Sequence, residues 1–296
     1  MMQRIILTDL RRAQKKKSYI ICMSIIVVLM LAICIFAVIR PSTSEALAEQ
    51  VRETSGKALK FLDNVSIAFS LFPFVIGIPV FQTVFSDDFK SRTMQTAIGY
   101  GVSRRRLVLC RFFETIVLIV EACMIFTVIG VIMGFALGGS VGGIGQMVGK
   151  LLFDQLLLVA NIAIAMLVLY LTQNPTGGLV MFILLAADVF RLILALADMI
   201  PFLKNNGIKL SNIVPSGVHQ IARNYMFGHV PSLSEVTDIG QEIEEGSTDA
   251  IRKILEGTTE PDFLKALGFT AILVGVFIVL PVILAQVVFR KKELEF

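Results

Sequence analysis

The chain has 296 residues, of which 55% are hydrophobic and 17% charged, with a net charge of +4 and a mean hydropathy of +0.79. A soluble fold of this length could not hide so much apolar surface in one core, so the composition excludes a soluble enzyme and makes the bilayer the solvent for about half of the chain. The basic residues flank apolar runs and do not line an aromatic-studded face, which marks them as topology signals and excludes a nucleic-acid partner.

At the start, Met2, Ile5, Ile6, Leu10 and Ala13 recur at helical spacing with Arg4, Thr8, Arg11, Arg12 and Lys15 between them. This predicts an amphipathic leader helix within residues 1–18 at the inner interface; a solvated basic leader held by anionic lipid is the alternative. Six apolar runs follow, at 19–39, 65–85, 112–138, 151–172, 178–200 and 264–288, each near the ~20 residues that cross ~30 Å of hydrocarbon. The expected fold is an all-α membrane protein, a single transmembrane domain of six helices. The first run has no A-x-A site at its end and is expected to stay in the mature protein.

Pro73 and Pro79 predict a kinked second helix. Asn174-Pro175-Thr176-Gly177-Gly178 predicts a tight cytoplasmic turn that makes spans four and five neighbours. Segments 1–18, 86–111, 173–177 and 289–296 hold 15 Lys and Arg in 57 residues, against 10 in 100 for segments 40–64, 139–150 and 201–263. By the positive-inside rule both termini are cytoplasmic. The halves show no internal repeat, which disfavours an inverted-repeat transporter. The external segment 201–263 carries 9 acidic and 5 basic residues. Its centre, 234–256, has apolar residues near helical spacing and is expected to form a small helical, acidic cap, able to attract cationic cargo or merely to keep the surface soluble.

Several chemistries find no support. Cys22, Cys34, Cys110 and Cys123 form no CxxC, and no metal site is expected. His219 and His229, ten apart in the external segment, fit solvent-facing or capping roles better than metal ligation. There is no GxxxxGK[ST], so this chain should hold no nucleotide or other cofactor and should not itself be an enzyme. Ionisable groups inside the spans are costly, about 2.5–3.5 kcal/mol each, and face protein or water. Glu114 and Glu121 share a face of span three, with Glu114 near enough to Arg111 to pair. On a continuous fifth helix Asp188, Arg191 and Asp198 lie within about 80° of one another, and Asp188 can pair with Arg191 at i, i+3. Glu121 and Asp198 are left as the uncompensated charges. Glu121, Asp188 and Asp198 are the candidates for lining a pathway, against the plainer role of holding the bundle together.

The cytoplasmic stretch 86–106 reads as a short helix, a glycine break and a new helix. Ser86 or Asp87 can cap the first, Phe89, Met94, Ala97 and Ile98 give it an apolar surface, Gly99 and Gly101 permit a turn, and Ser103 caps the second. Asp88, then Arg92-Thr93, then Gly101-x-Ser103-Arg104, with Arg111 seven residues on, resembles the segment after the second span of type-two ATP-binding-cassette (ABC) exporter permeases. About 25 residues carry this resemblance, and the layout of leader, six spans and long external segment agrees with it. Arg92 departs from the glycine usual before the threonine. The resemblance implies that Asp88, Arg92, Thr93, Gly101, Ser103, Arg104 and Arg105 belong to a coupling helix docked in a groove of an ATPase subunit. It further implies two copies of that subunit carrying ATP and Mg, a second permease, either a copy forming a homodimer or a similar chain, and export of an amphipathic peptide, antibiotic or lipid-like cargo across a bacterial plasma membrane. Read without it, Arg104, Arg105 and Arg106 are an inside-positive anchor. An ion- or proton-coupled transporter using the intramembrane carboxylates and a sensory or assembly protein with an acidic external cap are the other readings.

Overall fold

The structure is a computed structural model that describes residues 10–12, 14–39, 65, 71–86, 93–136, 141–200, 209–228 and 262–291. Among these residues the regular structure is helical and no strand occurs, as the composition requires. The elements are α1 (Lys17–Ile39), α2 (residues 73–86), α3 (Thr93–Gly99), α4 (Arg104–Ala136), α5 (Val141–Thr172), α6 (Pro175–Ala186), α7 (Val189–Asp198), α8 (Pro215–Phe227) and α9 (Phe263–Lys291). By length and apolarity α4, α5 and α9 can each cross a membrane, and α6 with α7 makes a fourth span if the interrupted pair counts as one. The expected count is six; the other two positions are occupied by the 23-residue α1 and by the shorter apolar α2. The chain divides into two compact units, Met1–Phe190 with Gly275–Phe296, and Arg191–Val274.

In the first unit α5 is the central helix. Four consecutive residues, Ala160 to Ala163, are buried, and 56% of its apolar window lies inside the protein against 39% for α4. A helix packed on several sides is apolar on several sides, so the run reads as a span while its neighbours cannot be inferred from it. The helix starts ten residues before the expected span, at Val141, through Gly142, Gly143, Gly145 and Gly149. Four glycines in ten residues read as a loop, but Ile144, Met147 and Leu151 are buried at i, i+3 and i+7, and that packing outweighs the ~1 kcal/mol helix cost of each glycine.

Around Pro73 and Pro79 the second helix has widened turns. Pro73–Gly77 and Gln82–Ser86 are π turns flanking one α turn, with the Ile78 N–H donating to the Pro73 carbonyl. Pro281 in α9 likewise follows a π turn, Gly275–Val279. A wider turn relieves the clash of the pyrrolidine ring with the preceding carbonyl and rehouses the bond that the missing N–H cannot make. The Thr83 carbonyl in the second of these turns accepts a hydrogen bond from the Lys16 ammonium at 3.1 Å. Phe72 meets Phe126 edge-on, Phe81 stacks on Phe182 at 5.9 Å, and Tyr170 packs on Phe289 at 4.8 Å. These contacts join α2 to α4 and α6, and α5 to α9.

Spans four and five turn at Gln173-Asn174. Gln173 takes a positive φ of 54°, and the Asn174 side chain accepts the Thr176 N–H at 2.9 Å, capping α6. Gly178 then lets α6 lie against α5, since a Cβ there would sit 2.7 Å from the Leu169 Cβ and 3.2 Å from the Ala165 carbonyl.

In the second unit α8 begins with Pro215 at its first turn and buries Val218, His219 and Ala222. His219, expected to face solvent or to cap, is 5% exposed on the buried face of this helix, so the solvent-facing alternative does not hold, and its neighbours on that face are what the loop-like sequence concealed. Tyr225 stacks on Phe269 at 5.9 Å, and its carbonyl accepts the Asp262 N–H. Asp262 caps α9 by accepting the Lys265 N–H at 3.2 Å and pairs with the Lys265 ammonium at 3.2 Å. The backbone bond first, and the ammonium after it, hold its carboxyl below the usual carboxylate range. The stabilisation is present above the unfolded-state pKa and is lost as pH falls through the lower folded one. The helical, acidic centre expected at 234–256, the leader residues 1–9, and His229 lie outside the described residues.

Gly178→Val is expected to destabilise the protein by about 1–3 kcal/mol in thermal unfolding of the detergent-solubilised chain. Gly145→Ala, where an added Cβ meets nothing within 4 Å, should be neutral or mildly stabilising in the same measurement.

Candidate functional site

The break between α3 and α4 is built as a helix stop and restart. α3 runs to Gly99; the Gly101 N–H donates to the Ile98 carbonyl at 2.9 Å and the Val102 N–H to the Ala97 carbonyl at 3.1 Å, with Gly101 at φ 85°. This pair of bonds around a left-handed residue is a Schellman stop, and glycine is the residue that takes that φ without a Cβ clash. Ser103 occupies the N-cap position of α4, its carbonyl accepting the Leu107 N–H at 3.1 Å. Of the expected coupling residues, Thr93 starts α3, Gly101 and Ser103 form the turn, and Asp88 and Arg92 lie outside the described residues.

The arginines after the turn divide. Arg105 and Arg106 are exposed. Arg104 points back into the protein, donating to the Phe289 carbonyl at 3.4 Å with its guanidinium 6.0 Å from the Phe289 ring centre. Sequence spacing groups the three together because it carries no information about a chain segment 185 residues away. Tyr100, between two glycines, is 82% exposed at the tip of the turn; an aromatic held out of a glycine-flanked turn is the signal that could have named it.

The candidate pathway carboxylates have separate surroundings. Glu121 accepts hydrogen bonds from the Gln14 amide at 2.8 Å and the Tyr19 hydroxyl at 3.2 Å. It is thus hydrogen-bonded by two neutral side chains, and it ties the end of the leader to α4. Asp188 has φ 55° and ends α6, with the helix restarting at Val189. The shared face inferred for Asp188, Arg191 and Asp198 assumed one continuous helix; Asp188 instead lies at a break, in a left-handed conformation that aspartate tolerates, while Arg191 and Asp198 stay on one helix, α7. Asp198 accepts the backbone N–H groups of Leu210 and Ser211 at 2.6 and 3.0 Å, so it caps the turn that follows. Glu114 pairs with Arg111 at 2.7 Å, both buried, as their i, i+3 spacing allows.

One polar group between α4 and α5 escaped the sequence reading. Gln155 donates to the Cys123 sulfur at 2.6 Å, Thr127 lies 3.9 Å from the same sulfur, and Asp154 is close enough to act on it electrostatically. Asp154 sits within the expected fourth span, and the rule that singles out intramembrane carboxylates would have found it. Among the described residues no three of His, Cys, Asp and Glu gather as a metal site needs.

Residues 11–197 match the family described as ABC-2 family transporter protein, more than half of the chain. The chain belongs to the ABC-2 transporter family. Comparison with curated proteins and with solved structures gave no significant match. The ABC-2 match takes in α1 to α7 up to the residue before Asp198, and with it the turn at Gly101. ABC-2 permeases are multi-pass membrane components that are not themselves catalytic, and membership implies a partner ATP-binding subunit.

Gly101→Ala in this ABC-2 protein is expected to cost the turn about 1–2 kcal/mol, seen as faster hydrogen exchange across 93–103 with little change in α5. Asp198→Ala should speed exchange at the Leu210 and Ser211 amides, which lose their acceptor; unchanged protection there would mean that the carboxylate is not their cap.

Proposed function

We propose that this chain is the permease subunit of an ABC exporter in the bacterial plasma membrane, with six spans and both termini cytoplasmic. Two copies form the pathway, and two copies of a separate ATPase bind ATP and Mg. Support for six spans comes from α1 and α2, apolar helices at the first two expected positions. Orientation rests on the Lys and Arg bias of the loops. The cargo is an amphipathic peptide, antibiotic or lipid-like molecule moved outward, a reading carried by the resemblance to exporter permeases.

The observation behind the coupling role is the shape of residues 93–106. A short helix is stopped by a Schellman turn at Gly101, with Tyr100 at its exposed tip and Arg105 and Arg106 exposed on the first turn of the 33-residue α4. A rigid turn joined directly to a long helix passes a push along its axis with little loss. An exposed aromatic with neighbouring cations is the composition of an interface anchor, and an apolar groove rimmed by carboxylates on the ATPase would receive it. Closure of the ATPase pair would then move α4 and switch the pathway between inward and outward access.

Co-purification in mild detergent tests this. The wild-type chain is expected to retain a Walker-motif ATPase at near one-to-one ratio, and Tyr100→Ala or Arg105→Glu with Arg106→Glu to lose most of it while the permease stays folded. Full retention by both variants would mean that this turn is not the docking surface.

A further inference from the structure

Arg104 starts α4, where the helix dipole disfavours a cation, so its own helix gives no reason for the charge. The last helix does. Phe289 lies in the last described turn of α9, and the Arg104 guanidinium donates to the Phe289 carbonyl at 3.4 Å. A cation there also suits the negative end of the α9 dipole. The same guanidinium lies 6.0 Å from the centre of the Phe289 ring, within range of attraction to the ring face. Phe289 is 1% exposed and its ring packs on Tyr170, fully buried near the end of the central helix α5, at 4.8 Å. Three residues after Gly101, therefore, a side chain from the coupling turn grips the end of α9, and through one aromatic contact reaches α5.

We propose that Arg104 is a positioning residue that makes α4, α5 and the end of α9 move together, and not part of the surface that docks the ATPase. The proposal rests on the coupling role given above to residues 93–106. α4 receives any displacement of the turn through the peptide chain. α9, far away in sequence, packs beside α4, and at its end Arg104 adds a grip, because the bond to the Phe289 carbonyl and the contact with the Phe289 ring act on the same residue. Phe289, pinned between Arg104 and Tyr170 in a close-packed interior, transmits the shift without absorbing it. Lysine in place of Arg104 would keep a charge for the carbonyl but lose the planar group that lies over the ring.

The test is hydrogen exchange on the full permease–ATPase complex in lipid nanodiscs, nucleotide-free and trapped with ATP and vanadate, followed over residues 93–103 and 285–291. In the wild type both segments are expected to change exchange between the two states. Arg104→Ala should keep the ATPase bound and keep the change at 93–103, while the change at 285–291 is lost; Arg104→Lys should retain only part of it. Phe289→Leu, which leaves the coupling turn untouched, should give the same selective loss, so the inference does not hang on one variant's folding. Loss of the ATPase from Arg104→Ala would overturn the proposal by making Arg104 a docking residue. Faster exchange at 285–291 in both states with the nucleotide-dependent difference intact would overturn it by reducing Arg104 to a helix cap. A wild type that responds at 93–103 and not at 285–291 would overturn it as well. A wild type with no response at 93–103 would instead defeat the coupling role on which it rests.

Discussion

A peptide carbonyl in hydrocarbon has no water to bond, and nearly every local feature of this chain answers that constraint. It makes the described structure helical and decides what a proline does. Before Pro79 and Pro281 the helix widens into π turns and does not break, because a broken stretch of backbone would leave its polar groups unbonded in lipid. Side chains also reach backbone groups: Lys16 the Thr83 carbonyl, Asp198 the Leu210 and Ser211 amides, Arg104 the Phe289 carbonyl. Charged residues near the ends of apolar runs thus serve the backbone before they serve any cargo.

The bundle of the first unit is organised around α5. Its small residues, Ala160, Ala163 and Ala165, and Gly178 on α6 allow close approach, while Phe81, Phe182, Tyr170 and Phe289 fill the spaces between helices. Without a hydrophobic drive between helices in lipid, this close packing is what holds spans together. The outer face of α4 follows the opposite rule: Phe113, Val117, Val120, Met124, Val128 and Ile132 are exposed at helical spacing, an apolar stripe that hydrocarbon can solvate.

The same packing separates polar residues that look alike in sequence. Arg104 and Arg105 are adjacent, yet one is drawn inward by the end of α9 and the other is left in solvent. Glu121 and Asp198 look equally costly on hydropathy grounds, yet one accepts side-chain donors from the leader and α1 while the other caps a turn. Treating the fifth span as one helix places Asp188 and Asp198 on one face, and Asp188 at φ 55° lies where that span is interrupted.

Much of the local structure was legible in the sequence because its causes are local. The apolar runs, the proline distortions of α2, the capped turn at Asn174 and the stop at Gly101 followed by a helix after Ser103 each depend on residues within a turn or two of one another. The start of α5 did not, since a run of glycines becomes helical only when Ile144, Met147 and Leu151 find a surface to bury against. Nor did the partners of Gln14, Arg104 and Gln155, which lie 107, 185 and 32 residues away. Composition and spacing, acting through backbone sterics and the cost of polar groups in lipid, determined which segments are apolar helices and the stops that lie within a turn or two of their cause, while the start of α5 and the break at Asp188 were not among them. Which helices touch, and hence which charges are bonded inward and which are offered to a partner, was decided by the tertiary structure alone, because those energies arise only when distant segments share one low-dielectric interior.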